Sequence, residues 1–340
     1  MTEVASPATS RKDWASDQDV RWCPGCGDYS ILAAMQFLLP ELGVTREKTV
    51  FISGIGCAAR FPYYMNTYGM HSIHGRAPAV ATGLAVTRPD LDVWVVTGDG
   101  DALSIGGNHL VHALRRNVRL RILLFNNQIY GLTKGQYSPT SEVGKVTKST
   151  PFGSLDTPFN PLSLAIGAEA SFVARTHDMD RRHMMETFRR AHEHKGASFV
   201  EVYQNCNVFN DGAFEHVTGK AHRDEMLIPL EQGKQIRFGA DSEKGVVSDA
   251  QGRLSIVNVA DVGEDALLVH DEHRENPGLA FALSRLSRGP FEPTPIGVFR
   301  AVERPDYGSQ MDTQLLDAQA RKGPGDLAAL LLSGTTWTVT

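Results

Sequence analysis

The sequence predicts an α/β fold organised around a doubly wound, mainly parallel sheet. Short apolar runs typical of buried strands alternate along the chain with segments of helical periodicity. The clearest unit lies at residues 92–134, where apolar runs at 93–96 and 122–125 flank a helical pattern. A strand, a helix and a second strand in this order form a parallel pair with a right-handed crossover. Polar residues directly follow both strands, so we expect them at the sheet edge where α/β folds bind ligands.

The remaining elements follow from the same two patterns, taken in chain order. The predicted strands are residues 50–53, 93–96, 122–125, 171–174, 198–202, 254–259 and 266–269. The predicted helices are residues 28–39, 77–87, 103–117, 161–166, 178–194 and 279–286. Residues 61–69 are expected to form an aromatic loop. Residues 131–161 form a polar stretch longer than most loops in compact domains, and such loops are usually functional.

The chain is predicted to have three parts. Residues 1–20 are polar and are expected to form a loose N-terminal arm. Residues 21–219 contain the regular alternation of strands and helices, and so form the α/β domain. Residues 220–340 have a mixed pattern with several Pro and Gly, which predicts a C-terminal extension or small cap.

Composition and charge argue against several classes of function. The 340 residues are 41% apolar and 21% charged, as in soluble globular proteins. The net charge of -5 gives no reason to expect a nucleic-acid partner. No apolar run approaches membrane-spanning length, and the N-terminus lacks a signal-peptide core, so we expect no membrane association and a cytoplasmic protein.

The four cysteines are candidates for a metal centre. Cys23 and Cys26 form a C-x-x-C pair, but the preceding polar residues do not fit a thioredoxin site, which follows a buried strand. Cys57 and Cys206 each follow a predicted strand. Four thiolates bind either zinc or an iron–sulfur cluster. The alternative is that Cys57 and Cys206 are small core residues, and spacing alone leaves these possibilities open.

A glycine-rich turn after the strand at 50–53 raises the question of a dinucleotide site. The pattern G-x-G-x-x-A begins at Gly54, but a Rossmann site also needs an acidic residue about 20 positions later. There is no Asp or Glu between Lys48 and Pro89, so the Rossmann interpretation fails. Four basic side chains in this segment have no local counter-charge, namely Arg60, His71, His74 and Arg76. We therefore expect an anion such as a diphosphate near the helix that starts at Ala77.

Two polar residues at strand ends predict a cation site. Asp99 follows the strand at 93–96 within Gly-Asp-Gly-Asp, and Asn127 follows the next strand. An EF-hand is excluded, because Leu103 and Leu110 occupy positions that would need oxygen ligands. A carboxylate and an amide oxygen brought together at one sheet edge suit a hard cation that also holds phosphate.

These motifs together resemble a known family. Gly98-Asp99-Gly100 with Asn126-Asn127 resembles the thiamine diphosphate motif of thiamine-dependent enzymes. With Cys-Pro-Gly-Cys, Gly-Ile-Gly-Cys, His-Gly-Arg-Ala and Tyr-Gly-Leu-Thr-Lys-Gly-Gln, the chain resembles the β subunits of 2-oxoacid:ferredoxin oxidoreductases over roughly residues 22–212. The segment that starts at Gln204 and the lysine at Lys134 resemble the 2-oxoglutarate branch.

The resemblance implies a sheet of the thiamine-diphosphate-binding type and a set of site residues. Mg²⁺ would be held by Asp99, Asn127 and the carbonyl of Ile129. Thiamine diphosphate would be lined by Ile55, Gly56, Cys57, Ala58, His74, Gly75, Arg76, Ala77, Gly100, Asp101, Gly131 and Leu132. One 4Fe–4S cluster would be held by Cys23, Cys26, Cys57 and Cys206. Lys134 would contact a carboxylate of the substrate.

The resemblance also implies an activity and partners. The activity would be CoA-dependent oxidative decarboxylation of 2-oxoglutarate to succinyl-CoA and CO₂, possibly reversible, with electrons passing through the cluster to ferredoxin. Pyruvate is the alternative substrate. A non-redox thiamine-dependent decarboxylase subunit with structural zinc is the alternative enzyme, and an electron-carrier module is the non-enzymatic one. The glutamate that thiamine enzymes use lies on a separate domain, so we expect an α subunit to supply it and this chain alone to be inactive.

Overall fold

The computed structural model describes residues 10–287, 289 and 291–339, and its centre is an eight-stranded sheet. The strands are β1 Thr49–Ser53, β2 Tyr68–His71, β3 Asp92–Gly98, β4 Arg121–Asn126, β5 Phe172–His177, β6 Ser198–Tyr203, β7 Leu227–Leu230, β8 Arg237–Phe238, β9 Lys244–Ser248, β10 Leu254–Asn258 and β11 Thr294–Ala301. The main sheet has the order β2-β1-β3-β4-β6-β5-β11-β7, and β8 to β10 form a separate antiparallel sheet. Every pair in the main sheet is parallel except β11 with β5, which confirms the predicted fold class.

The helices cover both faces of the main sheet. They are α1 Asp28–Leu42, α2 Ala77–Thr87, α3 Asp99–Leu103, α4 Gly107–Arg115, α5 Pro161–Gly167, α6 Arg181–Glu193, α7 Glu215–Thr218, α8 Arg223–Met226, α9 Val259–Val262, α10 Gly278–Ser284, α11 Tyr307–Lys322 and α12 Leu327–Leu331. Short 3-10 helices occupy Arg11–Trp14, Arg46–Lys48, Ala58–Tyr64 and Glu264–Ala266. Among the described residues, no helix is long and apolar enough to cross a membrane.

The core consists of two apolar layers, one on each face of the sheet. Because successive strand residues point to opposite faces, Val93 and Val95 of β3 pack in one layer while Trp94 and Val96 pack in the other. The first layer is closed by helices that include α2, α4, α5 and α10, and the second by α1 and α6. Burial on both faces explains why the central strands are nearly continuous apolar runs.

Three strands of the main sheet, β2, β7 and β11, have no counterpart among the strands that the sequence predicts. β2 begins within the predicted aromatic loop, and all four of its residues are exposed, so it has no apolar pattern to reveal it. β11 contains Pro295 and Gly297 near its start, which normally argue against a strand. The predicted strand at 266–269 is wrong, because Glu264–Ala266 form a 3-10 helix and only Val269 pairs, in an isolated bridge with Gln235.

Segments at the two ends of the chain contribute to this architecture. Residues 1–9 of the predicted N-terminal arm lie outside the described residues, whereas Trp14 is fully buried against α1 in the second layer. β7 and β11, from the predicted C-terminal extension, pair with each other, and β11 also pairs with β5. The last third of the chain therefore extends the same sheet, while the division at residue 219 stays a prediction.

Candidate functional site

The carboxylate of Asp99 lies buried where β3 ends and α3 begins. Its Oδ2 atom accepts hydrogen bonds from Ser138 Oγ and Thr140 Oγ1, each at 2.5 Å. The side chain is 2% exposed, and burial raises the pKa of Asp99 to about 6 despite these hydroxyl donors. Among the described residues no basic side chain forms an ion pair with it, so a bound cation would relieve the cost of its buried charge.

Asn127 leaves the neighbouring strand beside Asp99. Gly98 of β3 is the register partner of Phe125 of β4, so the two polar residues emerge at adjacent positions. Asn127 Oδ1 accepts a hydrogen bond from the backbone N of Ile129 at 3.2 Å. The amide oxygen keeps a second lone pair, and the carboxylate, the amide oxygen and the Ile129 carbonyl are the hard oxygen donors that Mg²⁺ prefers. The donor chemistry fits the predicted ion.

A buried polar network lies directly behind this pair. Asn126 Nδ2 donates to Glu201 Oε1 at 2.7 Å, and Arg175 Nε donates to Glu201 Oε2 at 2.7 Å. Thr140 Oγ1 also lies 3.0 Å from Asn126 Oδ1, so its single hydroxyl proton is shared between Asp99 and this network. Glu201 is fully buried in β6 and Arg175 is 4% exposed in β5. The ion pair thus anchors, through Asn126, the long loop that supplies the hydroxyl donors of Asp99.

Asp101 holds together the two loops that were predicted to line the cofactor. Its Oδ1 atom accepts hydrogen bonds from the backbone N of Gly75 at 2.8 Å and of Ile55 at 3.2 Å. Its Oδ2 atom accepts from Thr97 Oγ1 at 2.9 Å. A Cβ atom on Gly54 would lie only 1.8 Å from that Oδ2, so the contact requires glycine. Asp101 therefore fixes the conformation of the two loops. The N–H groups of Ile55 and Gly75 already donate to its carboxylate and are not free to bind a ligand.

The other residues predicted to line thiamine diphosphate surround these loops. Half-buried members are Gly56, Cys57, Arg76 and Gly131, buried members are Ala58, Gly75, Ala77 and Gly100, and exposed members are His74 and Leu132. Gly100 lies under the ring of Tyr130, whose hydroxyl donates to the Gly100 carbonyl at 3.1 Å. Within the described chain, Arg60, His71, His74 and Arg76 form no ion pair with any carboxylate, which keeps this region suited to an anion.

The four cysteines form a second group at the same edge. Cys23 is exposed and the other three are half-buried, all as free thiols. Burial, together with the nearby Asp28, Cys206 and Cys23, raises the pKa of Cys57 to about 12, although Arg60 opposes the shift. Burial also raises the pKa of Cys26, with contributions from Asp28, Cys206 and Cys57. These raised pKa values mean that the thiols would be held as thiolates only if a cationic centre were bound to them.

The cysteine group touches the loop that carries the predicted cofactor residue Gly131. A Cβ atom built on Gly131 would lie 3.4 Å from Cys206 Sγ and 3.7 Å from Cys57 Sγ. Among the described residues, no group of three or more His, Cys, Asp or Glu side chains is arranged to hold a single metal ion. The assignment of all four cysteines to one centre therefore rests on their shared location and electrostatic coupling.

Lys134 lies in a tight turn after this glycine. Its backbone N donates to the carbonyl of Gly131 at 3.0 Å, and its φ of +74° is in the left-handed region that side chains usually avoid. The side chain is exposed, and no carboxylate of the described chain pairs with it. The ammonium group is thus available to an external anion.

Several residues near the two groups were missed by sequence reasoning. Ser138 and Thr140 belong to a long polar stretch, in which nothing distinguishes a hydroxyl that binds Asp99. Asp28 lies beside the cysteines, and burial raises its pKa to about 7, with a hydrogen bond from Cys26 opposing the shift. Glu201 offered a usable signal, because an acidic residue inside the apolar strand Ser198–Tyr203 must find a buried partner.

Comparison with known proteins adds independent information. Residues 54–202 match the family model for the C-terminal thiamine pyrophosphate-binding domain of thiamine pyrophosphate enzymes. The matched segment runs from the first glycine of the loop after β1 to β6, and so contains both Asp99 and Asn127.

Relatives match a much larger share of the chain. It is 58% identical over 330 residues to the 2-oxoglutarate oxidoreductase subunit KorB of Mycobacterium tuberculosis, covering 96% of this chain and 88% of that protein. It is 45% identical over 213 residues to the 2-oxoacid:ferredoxin oxidoreductase subunit beta of Saccharolobus solfataricus, covering 62% and 68%. A solved 2-oxoglutarate:ferredoxin oxidoreductase from Magnetococcus marinus superposes with a TM-score of 0.75 at 32% identity, covering 97% of both chains. The chain therefore belongs to the β subunits of the 2-oxoacid:ferredoxin oxidoreductases.

Proposed function

We propose that this chain is the β subunit of a 2-oxoglutarate:ferredoxin oxidoreductase. The enzyme would oxidatively decarboxylate 2-oxoglutarate in the presence of coenzyme A, giving succinyl-CoA and CO₂ and passing electrons to ferredoxin. The observation that carries the proposal is the 58% identity to a 2-oxoglutarate oxidoreductase subunit across 96% of the chain. The solved relative, which contains 2-oxoglutarate, coenzyme A and succinyl-CoA, supports the same substrates.

Thiamine diphosphate and Mg²⁺ are proposed to bind at the ends of β3 and β4. The support is the buried, cation-free carboxylate of Asp99 beside the amide of Asn127, within the matched thiamine pyrophosphate-binding segment. Thiamine diphosphate, when bound, supplies an electron sink for the decarboxylation of 2-oxoacids. Asp99, Asn127 and the Ile129 carbonyl would hold the ion. Asp101 fixes the loops at Ile55 and Gly75 on either side.

One 4Fe–4S cluster is proposed at Cys23, Cys26, Cys57 and Cys206. The support is the electrostatic coupling among the thiols and the contact of two of the half-buried ones with the position of Gly131. A cluster here would accept single electrons close to the cofactor region. Cys23 is exposed, which gives the centre a solvent-facing side toward ferredoxin.

An α subunit is proposed as the partner, because the relatives are themselves named as subunits of a larger enzyme.

Lys134 is proposed to bind the distal carboxylate of 2-oxoglutarate. The support is its exposed ammonium group, which pairs with no carboxylate in the described part of the chain, and its left-handed backbone, since such conformations are retained mainly where the surrounding structure or function requires them. Pyruvate has no distal carboxylate, so Lys134 would favour 2-oxoglutarate.

The substrate assignment is tested with the co-purified α and β subunits. We expect the complex to reduce ferredoxin with 2-oxoglutarate and CoA, with kcat/KM at least tenfold higher than with pyruvate. The isolated β chain should give no turnover with either acid. A preference for pyruvate, or full activity of the isolated chain, would contradict the proposal.

The Mg²⁺ assignment is tested by the isosteric substitution Asp99→Asn. Loss of the charged ligand should lower retained thiamine diphosphate and Mg²⁺ by about tenfold or more. Losing an outer-shell partner typically lowers metal affinity by about 10- to 100-fold, and losing a direct ligand should cost at least as much. Both contents are measured after gel filtration of the complex. Asp90→Asn changes an exposed carboxylate just before β3 and should retain both. Normal cofactor content in Asp99→Asn would exclude Asp99 as a ligand.

The cluster is tested by visible absorption and metal analysis. The wild-type complex should be brown, with a broad absorption that dithionite bleaches, and Cys206→Ser should lose most of this absorption and its iron. Val208→Ala alters an exposed side chain in the same loop and should remain brown. A colourless wild-type protein that contains zinc would overturn the proposal in favour of a structural metal.

The role of Lys134 is tested by Lys134→Asn, because asparagine tolerates the left-handed backbone and lacks the ammonium group and the long stem that carries it. Loss of a charged contact of about 1.5–3 kcal/mol should reduce kcat/KM for 2-oxoglutarate by about ten- to a hundredfold. The value for pyruvate should change little. Lys148→Asn removes an exposed charge from the same long loop and serves as the control. Equal losses on both acids would remove Lys134 from the specificity site.

A further inference from the structure

Gln204 lies between the two groups of predicted ligands. It follows β6 directly, and its side chain is 1% exposed. Its backbone N donates to the carbonyl of Asn126 at 2.9 Å, which extends the pairing of β6 with β4 by one residue. The side chain therefore starts from a backbone position fixed by the sheet, close to the point where Asn127 leaves β4.

The carboxamide of Gln204 contacts one residue of each group. Its Oε1 atom accepts a hydrogen bond from Asn127 Nδ2 at 2.8 Å. Its Nε2 atom donates to Cys26 Sγ at 3.3 Å and to the carbonyl of Asn205 at 2.6 Å. Both N–H groups of the amide and its oxygen are thus engaged. No other side chain that the structure describes has a recorded hydrogen bond to both Asn127 and a cysteine sulfur.

In this series of hydrogen bonds each group donates to the next one, from the backbone N of Ile129 to the sulfur of Cys26. The backbone N of Ile129 donates to Asn127 Oδ1, so the NH₂ group of Asn127 must face Gln204. The oxygen of Gln204 must then face Asn127, because two NH₂ groups would repel. Its NH₂ group consequently faces Cys26 Sγ. The orientation of each amide is dictated by its neighbour, from the backbone of Ile129 to the sulfur of Cys26.

We propose that Gln204 is a positioning residue that links the cofactor metal site to the cysteine centre. This inference rests on the function proposed above. Toward the metal site, Gln204 holds the NH₂ group of Asn127 and so fixes which side of that amide carries the oxygen that would bind the ion, as outer-shell partners of metal ligands do. Toward the cysteines, its N–H donates to the sulfur of Cys26, and hydrogen bonds to ligand sulfurs are among the factors that set cluster reduction potentials.

The two functions of Gln204 separate in two substitutions. Gln204→Leu has similar size but neither donates nor accepts, so it removes both contacts. Gln204→Glu keeps an acceptor for Asn127 Nδ2 but replaces the donor to Cys26 with a carboxylate. Gln36→Leu is the matched control, because Gln36 is 4% exposed and its side chain hydrogen-bonds the Tyr64 carbonyl and Arg11, which are not members of either group.

The test uses the co-purified α/β complex and two readouts besides turnover. The midpoint potential of the one-electron reduction of the cluster is measured by an EPR-monitored redox titration. Retained Mg²⁺ and thiamine diphosphate are measured after gel filtration. Gln204→Leu should shift the midpoint potential to a more negative value and reduce Mg²⁺ retention by about tenfold. Gln204→Glu should lower the potential further yet retain Mg²⁺ within about threefold of wild type.

The outcomes distinguish this inference from the proposed function. A wild-type complex without a cluster would defeat the proposed function itself. A wild-type cluster whose potential and Mg²⁺ retention are unchanged in folded Gln204→Leu and Gln204→Glu complexes would overturn only the role of Gln204. Equal shifts in the Gln36→Leu complex would also overturn it, because they would show a general response to loss of a buried amide.

Discussion

The geometry of the candidate site depends on one buried carboxylate, that of Asp101. Its two oxygens accept hydrogen bonds from the backbone of Ile55, the backbone of Gly75 and the hydroxyl of Thr97. Three segments that are distant in sequence are therefore held against the end of β3. Hydrogen bonds to a charged group contribute about 1.5–3 kcal/mol each, and leaving such a group unsatisfied costs more. The close approach at Gly54 shows how little space this arrangement leaves.

Hydrogen bonds to buried charged groups also hold the long loop between β4 and α5 in place. This loop has no helix or strand in the described chain, so backbone ladders contribute little to its conformation. Instead the single hydroxyl proton of Thr140 is shared between Asp99 and Asn126, and Asn126 in turn donates to Glu201. Because Glu201 is paired with Arg175, the position of a surface loop is set by an ion pair in the middle of the sheet. Burying that pair is costly, and its network of hydrogen bonds offsets the cost.

Much of the fold could be predicted from the sequence, because strands that are buried on both faces have a distinctive apolar composition. Strands without that composition were missed. Central strands such as β3 and β4 are buried on both faces, and their composition alone identifies them. Polar residues at their ends, such as Asp99, were then expected at one edge. β2 has no buried face, and β11 carries Pro295 and Gly297, so neither produced a clear pattern.

The sequence predicted where the site residues lie better than it predicted which groups their side chains contact. The bond between Gln204 and Cys26 joins residues 178 positions apart, and only the folded chain brings them together. The hydroxyl donors to Asp99 come from a loop with no periodicity at all. The spacing of the cysteines suggested a metal centre, but the identity of the metal came from resemblance, since zinc and iron–sulfur clusters accept the same thiolates.

The antiparallel strand β11 has a consequence for how the protein is made. β11 lies between β5 and β7 in the sheet, so until it emerges from the ribosome the fully buried β5 is an open edge. At about 5–20 residues per second, β11 follows β5 by on the order of ten seconds. An unpaired apolar edge is a template for pairing with other chains. Nascent and prematurely terminated chains are therefore the forms of this protein most exposed to aggregation and most dependent on chaperones.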